Sequence, residues 1–189
     1  MEIKKIITTD TQSFNVGDTI SFRLNDGELV EAMAVKAEQD GMVFMLVDCL
    51  HDEEPMNRTA TNRGGYEGCD LRKKLNGAIL DRFPQEVRGI MVPFENGDFL
   101  RLPTEKEIFG VNEYGENEDE SVQQFEPMKL RRNRIAFQGH NGGWEWYWLQ
   151  NKVKGTAADF VNVLSGGNAN CDDAHCDVGV RPAFKIMSL

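Results

Sequence analysis

The sequence predicts an α+β domain built from antiparallel sheets and two helices. Short runs that alternate between apolar and polar residues are separated by turns containing Gly, Asn or Asp, a pattern typical of antiparallel strands. Two other segments carry helix-capping residues close to apolar residues at helical spacing. With 189 residues, 40% of them apolar, the chain can bury a core, and we expect one domain over residues 1–189.

The first 50 residues are predicted to form a β-meander. Residues 19–24 alternate with period two, and Asn-Asp-Gly at 25–27 is a strong turn signal. A second strand is expected over 28–36, followed by a turn at 39–41 and an apolar strand up to Val47.

The two predicted helices lie near residues 70–83 and 104–110. Asp70 can cap the first helix, apolar residues from Leu71 to Phe83 fall on one face, and Pro84 ends it. Thr104 and Glu107 have the spacing of a capping box for the second helix.

The C-terminal part, residues 128–187, is predicted to contribute further strands. These are expected near 134–137, 144–149, 159–164 and 178–186, with Gly-rich loops between them. The acidic stretch 112–127 has few apolar residues and is expected to be a mobile excursion.

The charge distribution disfavours nucleic acid as a partner. The formal net charge is −10, and a negative field repels phosphate backbones. One basic cluster (Lys129, Arg131, Arg132 and Arg134) follows the acidic run 116–120. It is either a solvated segment whose charge offsets that run, or a phosphate or nucleic-acid site.

The four cysteines do not predict a metal site or a cofactor. Cys49 ends an apolar strand and is most simply a core residue, whereas Cys171 and Cys176 flank ligand-type side chains without paired zinc-type spacing. We therefore expect no metal and no cofactor. The segment 171–177 is a polar surface loop, a local disulfide or, as the third alternative, a metal site.

The aromatic run from Trp144 to Trp148 has two interpretations. Strand periodicity would place Trp144, Trp146 and Trp148 on one face and Tyr147 on the other. One face is then core and the other partly covered, or the aromatic side chains form a platform that stacks on a sugar ring or anchors a protein.

The chain lacks the sequence signatures of phosphate-binding loops, serine hydrolases and zinc proteases, and we expect no catalytic site. Candidate ligand-binding side chains lie instead in the loops 139–148 and 165–177, where a scaffold positions them without using them for packing. They are His140, Asn141, Trp144, Trp146, Tyr147, Asn168, Asn170, Asp172, Asp173 and His175. A connector without function is the alternative for the second loop.

Several motifs resemble known families. Leu100-Arg101-Leu102-Pro103-Thr104-Glu105, Gly142-Gly143-Trp144 and Gly179-Val180-Arg181-Pro182 are similar to landmarks of formylglycine-generating-enzyme-like proteins, which have a C-type-lectin-like fold. A closer resemblance, over roughly residues 17–187, is to an uncharacterised domain family of Gram-positive bacteria and their phages. It is carried by Gly65-Tyr66-Glu67-Gly68-Cys69-Asp70-Leu71-Arg72 and by the terminal Gly179-Val180-Arg181-Pro182-Ala183-Phe184.

The resemblance implies a recognition scaffold rather than an enzyme. The enzymes carry a pair of reactive cysteines after the Gly-Gly landmark, and the equivalent stretch 154–164 has none. Lectin-like folds of this kind include phage receptor-binding proteins, so the resemblance implies a ligand surface near the Gly-rich loops.

The leading hypothesis is a non-catalytic module that binds a glycan or a protein. The alternatives are a structural subunit with its aromatic strand buried in an oligomer, and a modifying enzyme that uses Cys171 and Cys176. No apolar run is long enough to span a membrane and no export signal is evident, so we expect a cytoplasmic or virion-associated protein without membrane contact.

Arg181 is predicted to have a structural role. An arginine in an otherwise apolar strand needs polar partners if it is buried. Because the motifs containing Arg181 and the second helix occur together in the resembling families, we expect it to pair with Glu105 or Glu107.

Overall fold

The structure, a computed structural model, describes residues 14–187 and is a mixed α+β fold with mostly antiparallel sheets. The strands are β1 Thr19–Arg23, β2 Leu29–Glu38, β3 Gly41–Leu46, β4 Met91–Val92, β5 Leu100–Arg101, β6 Ala136–Phe137, β7 Trp144–Glu145, β8 Tyr147–Lys152, β9 Asp159–Val163, β10 Ala169–Asp173 and β11 Ala183–Met187. The α-helices are α1 Gly65–Gly68, α2 Asp70–Lys74, α3 Gln85–Arg88 and α4 Glu105–Phe109. None of the described helices is long and apolar enough to cross a membrane.

The predicted meander is confirmed for the described residues and becomes part of a larger sheet. Strands β1, β2 and β3 pair antiparallel, with a turn at Gly27 (φ +92°) and a tight connection between Glu38 and Gly41. The C-terminal strand β11 pairs with β3 on one side and with β4 and β5 on the other, giving six strands. The predicted strand 178–186 is therefore too long at its start, because pairing begins at Ala183.

The other five described strands form two smaller sheets. Strands β10, β9 and β8 form an antiparallel sheet in that order, and β6 pairs with β7 in a separate hairpin. The prediction of a loop over 165–177 is wrong for its middle part. Ala169–Asp173 pairs with β9 from Ala169–Val163 to Asp173–Asp159, so Asn170, Asp172 and Asp173 lie on a strand.

The first predicted helix is irregular. It is regular α-helix only in α2, continues as a π-turn over Leu75–Ile79 and ends as a 3-10 helix over Leu80–Arg82. Gly77 has non-helical angles (φ −125°, ψ −105°) inside it. The prediction of Asp70 as cap is wrong: Cys69 is the N-cap, and its Sγ accepts from Arg72 N at 3.3 Å.

The second predicted helix is confirmed as α4, together with its capping box. Thr104 Oγ1 accepts from Glu107 N at 3.2 Å, and Glu107 Oε2 accepts from Thr104 N at 2.9 Å. The helices α1 and α3 were not predicted, so the count of two helices is corrected to four short ones among the described residues.

The acidic excursion is anchored rather than mobile. Glu105 is fully buried, and its carboxylate accepts hydrogen bonds from the amides of Glu113, Tyr114 and Gly115 at 2.9–3.1 Å. Glu118 accepts from Lys106 N at 3.0 Å. These contacts tie the acidic loop to the first turn of α4, where a helix favours negative charge.

The core has two parts on opposite faces of the sheets. One part contains a stack of Phe44 on Phe184, with ring centroids 5.8 Å apart, together with Phe83, Trp148 and Phe160. The other contains Met45, Tyr147, Leu149, Val161 and Val163. Successive side chains of β8 and β9 point to opposite faces of the sheet. Because each face packs against one part of the core, neighbouring residues are buried on both faces.

Candidate functional site

An open cleft of about 650 Å³ lies between two turns of the chain. One wall is the β1–β2 turn with Arg23, Asp26 and Glu28, and the opposite wall is the turn from Gln138 to Gly142. Arg82, His51 and Asp52 form the remainder of its lining. The predicted ligand residues His140 and Asn141 thus line a cleft of the size that small ligands occupy.

Arg82 is the centre of charge in this cleft. Its Nε donates to Asp26 Oδ2 at 2.5 Å, its Nη2 pairs with Glu28, and Asp52 lies 3.9 Å from Nη1. Although burial raises the pKa of Asp26, the hydrogen bonds from the Glu28 amide and Arg82 hold that pKa below its usual value. Arg82 and its acidic partners therefore form a fixed charged floor.

The turn from Gln138 to Gly143 is held tightly against the rest of the molecule. Gln138 N donates to Gly143 O at 2.9 Å, and Gly139 N donates to Cys49 O at 3.0 Å. Gly139 has a φ of +58°, which favours glycine. His140 and Asn141 are exposed at the tip of a turn whose backbone is fixed.

Two of the three tryptophans are exposed beside this turn. Trp144 is 73% exposed and pairs across the β6–β7 hairpin with Phe137, which is also exposed, and Trp146 is 39% exposed. Both cross-strand partners point to the same face of the hairpin because paired residues share a face. Phe137 and Trp144 form an exposed apolar surface, the aromatic arm, at the base of the turn that lines the cleft.

The prediction that the three tryptophans share one face is wrong. Trp148 is fully buried, and its Nε1 donates to Glu54 O at 2.8 Å. The strand is interrupted at Trp146, between β7 and β8, which breaks the alternation. Tyr147 is also wrong as a ligand residue, because it is fully buried and its hydroxyl donates to Arg134 O at 2.9 Å.

A pair of carboxyl groups lies on the other face of the aromatic hairpin. Burial and a hydrogen bond with the Glu53 carboxylate raise the pKa of Glu145 to about 7. The Trp146 amide also donates to Glu145 Oε1 at 2.7 Å. The Glu145 carboxyl group is therefore partly protonated near neutral pH.

The remaining predicted ligand residues lie elsewhere. Asn168 follows the β9–β10 turn, and Asn170 and Asp172 face Asn162 and Phe160 across the sheet. His175 Nδ1 lies 2.7 Å from Asp173 Oδ1, a hydrogen bond that raises the pKa of His175. These residues do not line the cleft, so the structure divides the predicted site residues into two groups.

The cysteines are all free thiols. Cys49 is in the core, as predicted. Cys176 Sγ lies 3.5 Å from Asp172 Oδ1. Burial, followed by neighbouring carboxylates, raises the pKa values of Cys171 and Cys176, so neither thiol is activated as a nucleophile.

Arg181 is buried, but its predicted partners are wrong. Its guanidinium donates to Leu46 O at 2.8 Å, to Asn133 O at 3.1 Å and to the Tyr147 hydroxyl at 3.1 Å, and lies 4.9 Å from the Tyr147 ring centroid. Glu107 instead pairs with Arg101 through two hydrogen bonds of 2.6 and 2.7 Å. Glu105 is occupied by the backbone amides of the acidic loop, so neither acid reaches Arg181.

Sequence reasoning missed Glu28, His51 and Arg82. His51 N donates to Glu28 Oε1 at 2.8 Å, and Arg82 reaches Glu28 across 54 positions of sequence. The only local signal was the Asn-Asp-Gly turn preceding Glu28, because a turn can present charged residues to a neighbouring segment.

The chain matches the model of a known protein family over most of its length. Residues 40–188 match the model of a family described as "Domain of unknown function (DUF6273)". The chain belongs to this family. No curated protein and no solved structure matches the chain. The predicted membership of an uncharacterised domain family is confirmed.

Proposed function

We propose that this domain of the DUF6273 family is a non-catalytic recognition module, with a C-type-lectin-like fold, that binds a glycan in the cleft beside the aromatic arm. The carrying observation is Trp144, which is 73% exposed and continues directly from the turn that forms one wall of the cleft. An exposed tryptophan on a fixed backbone is a costly surface feature that commonly marks an interaction site.

The chemistry of the cleft matches that of a sugar. The apolar face of a sugar ring stacks on an indole, while its hydroxyl groups need donors and acceptors around it. Asn141 and Gln138 offer amides, and His140 offers an imidazole, all on the wall that leads to Trp144. Arg82 is paired with Asp26 and Glu28, so the floor offers no free positive charge to an anionic ligand, which favours a neutral polar ligand there.

The raised pKa values of Cys171 and Cys176 support a non-catalytic role over a cysteine-dependent enzyme. One observation also favours the alternative function, a structural subunit: the exposed aromatic arm could be buried in the contact between subunits of an oligomer. The two functions differ in what covers Trp144.

A glycan array with the wild type and Trp144→Ala tests the proposal. We expect binding to a limited set of glycans and at least a tenfold loss of affinity in the variant, roughly 1.4 kcal/mol. Val111→Ala is the control, since Val111 is an exposed apolar residue outside the cleft and should leave affinity unchanged.

Light-scattering mass measurements on the same proteins separate the alternative. A monomeric wild type that binds glycan through Trp144 supports the proposal. An oligomer that Trp144→Ala dissociates would instead make the arm a subunit contact. Glycan binding that survives the substitution, or a protein ligand as the only partner, would also overturn the proposal.

A further inference from the structure

The backbone of the basic cluster is held by hydrogen bonds from buried side chains. Its arginines lie on a 3-10 helix, Arg131–Arg134, preceded by a second 3-10 helix, Glu126–Lys129. The carbonyl of Asn133 accepts from Arg181, and the carbonyl of Arg134 accepts from the Tyr147 hydroxyl. Two fully or nearly fully buried side chains thus fix the backbone that presents these arginines at the surface.

The charges of this helix are not offset by the acidic run. Within residues 14–187, Arg131, Arg132 and Arg134 form no ion pair with a carboxylate. Glu116 pairs with Lys152, and Glu118 binds the N-terminus of α4. In a chain with a net charge of −10, three uncompensated arginines on one short helix are a specific local feature.

Two of these arginines pack against the β9–β10 turn through the first atoms of their side chains. In a 3-10 helix the side chains at i and i+3 eclipse, so Arg131 and Arg134 lie on the same face while Arg132 points elsewhere. A Cβ placed on Gly167 would lie 3.4 Å from both Arg131 Cγ and Arg134 Cβ, and Arg131 Nε donates to Gly166 O at 2.7 Å.

The space above Gly166 is surrounded by hydrogen-bond donors. A Cβ on Gly166 would lie 3.3 Å from Arg131 Nη2 and 3.7 Å from Asn168 Nδ2. Arg134 Nε is buried and has no hydrogen-bond partner within residues 14–187. The Arg134 guanidinium lies over the Phe109 ring, with its Cζ 5.1 Å from the ring centroid. Asn168 Nδ2 and Arg131 Nη2 are therefore the donors that border the space at Gly166, and the Nη groups of Arg131 have no acceptor among the described residues.

We propose that Arg131 and Asn168 form a binding site for a tetrahedral oxyanion of the phosphate or sulphate class. Guanidinium groups bind such anions through paired, charge-assisted hydrogen bonds, and an amide adds a further donor. The absence of a side chain at Gly166 leaves room for the anion. The site shares no residue with the lining of the cleft, so it stands independently of the proposed glycan site.

Calorimetric titration at constant ionic strength tests the site with inorganic phosphate, inorganic sulphate, a hexose phosphate and a hexose sulphate. We expect saturable binding at one site, with chloride silent. If only the inorganic ions saturate the protein, the site binds free anions. If the hexose esters bind more strongly, the site recognises the anionic group of a larger ligand. No saturation by any of the four would overturn the proposal.

Matched substitutions locate the binding. Arg131→Ala is expected to weaken anion binding at least tenfold, and Asn168→Ala severalfold, because each removes a donor at the site. Arg132→Ala removes the same charge one position away and should change the affinity less than twofold. Equal losses in Arg131→Ala and Arg132→Ala would mean a diffuse positive field and would refute a defined site.

A third variant guards against misfolding. Arg131→Lys keeps the charge but loses the planar donor arrangement, and is expected to bind with an affinity between wild type and Arg131→Ala. Thermal melting by circular dichroism establishes that each variant is folded. Full affinity in a folded Arg131→Ala variant would contradict the assignment.

Discussion

Removal of Arg181 is expected to destabilise the fold without involving any carboxylate. The side chain is only 2% exposed and donates to two backbone carbonyls, Leu46 O and Asn133 O, and to the Tyr147 hydroxyl. In Arg181→Met the shape is partly retained, but these acceptors lose their donor.

The magnitude follows from the acceptors left unpaired. The buried carbonyl of Leu46 and the partly buried carbonyl of Asn133, at about 1–3 kcal/mol each, give about 2–6 kcal/mol, and Tyr147 adds little because its hydroxyl still donates to Arg134 O. The desolvation cost of the buried guanidinium is recovered in the variant. We therefore expect a loss of about 2–4 kcal/mol, a lowering of Tm by roughly 5–15 °C.

Urea denaturation followed by circular dichroism measures this loss, and double-mutant cycles identify the partners. Arg181→Met and Tyr147→Phe should be coupled by about 0.5–3 kcal/mol, because the two side chains share a hydrogen bond. Arg181→Met and Glu107→Gln should be additive. Coupling to Glu107 instead of Tyr147, or a loss below about 0.5 kcal/mol, would refute the reasoning.

Three further predictions concern separate features. Gly115→Ala should lower the free energy of unfolding by about 2 kcal/mol or more in urea titrations, because a Cβ there would lie 2.7 Å from the buried carboxylate of α4; Gly143→Ala, with open space around it, is the control. The pKa of Glu145, about 7 against an ordinary 4.5, means that the folded state holds a proton which the unfolded chain releases, so this group's contribution to stability is lost as pH rises from about 5 through 7. Glu145→Gln should therefore flatten the dependence of Tm on pH over that interval, and an unchanged profile would contradict the raised pKa of Glu145. Cys171 and Cys176 should react with Ellman's reagent at about pH 7.5 more slowly than free cysteine, because the pKa values of both thiols are raised; faster reaction would reopen the enzymatic alternative.

The features that the sequence predicts well are local. The capping box of Thr104 and Glu107 needs only two residues three positions apart, and both of its hydrogen bonds form as expected. The first turn at Gly27 is likewise specified by the adjacent residues. Such signals are readable because the interacting groups are neighbours along the chain.

The irregular helix after Cys69 shows why other elements were less predictable. Asn76 Oδ1 accepts from the amides of Phe99 and Leu100, and its Nδ2 donates to Leu100 O at 2.8 Å. This side chain fixes β5 against the helix at the point where the π-turn occurs. The helical periodicity of the segment carries no information about a partner more than 20 positions away.

The candidate site was predictable only in part for the same reason. Gly179 N donates to Trp146 O at 3.0 Å, and Trp148 N donates to Gly179 O at 3.2 Å, so a distant segment interrupts the strand between the exposed and the buried tryptophans. A Cβ on Gly179 would lie 2.5 Å from Trp146 O. His140 and Asn141 were found because a Gly-rich turn is a local signal, whereas Arg82 required the fold.

The C-terminal motif from Gly179 to Phe184 links both proposed surfaces to the core. Gly179 sets the position of Trp146 below the aromatic arm, Arg181 holds the carbonyl of Asn133 beneath the basic helix, and Phe184 stacks on Phe44. Substitutions in this motif would therefore impair both surfaces through loss of structure. Only surface variants such as Trp144→Ala and Arg131→Ala separate recognition from folding, because their side chains point away from the core. If the two surfaces act independently, each of these variants should weaken one binding activity at least tenfold and leave the other intact.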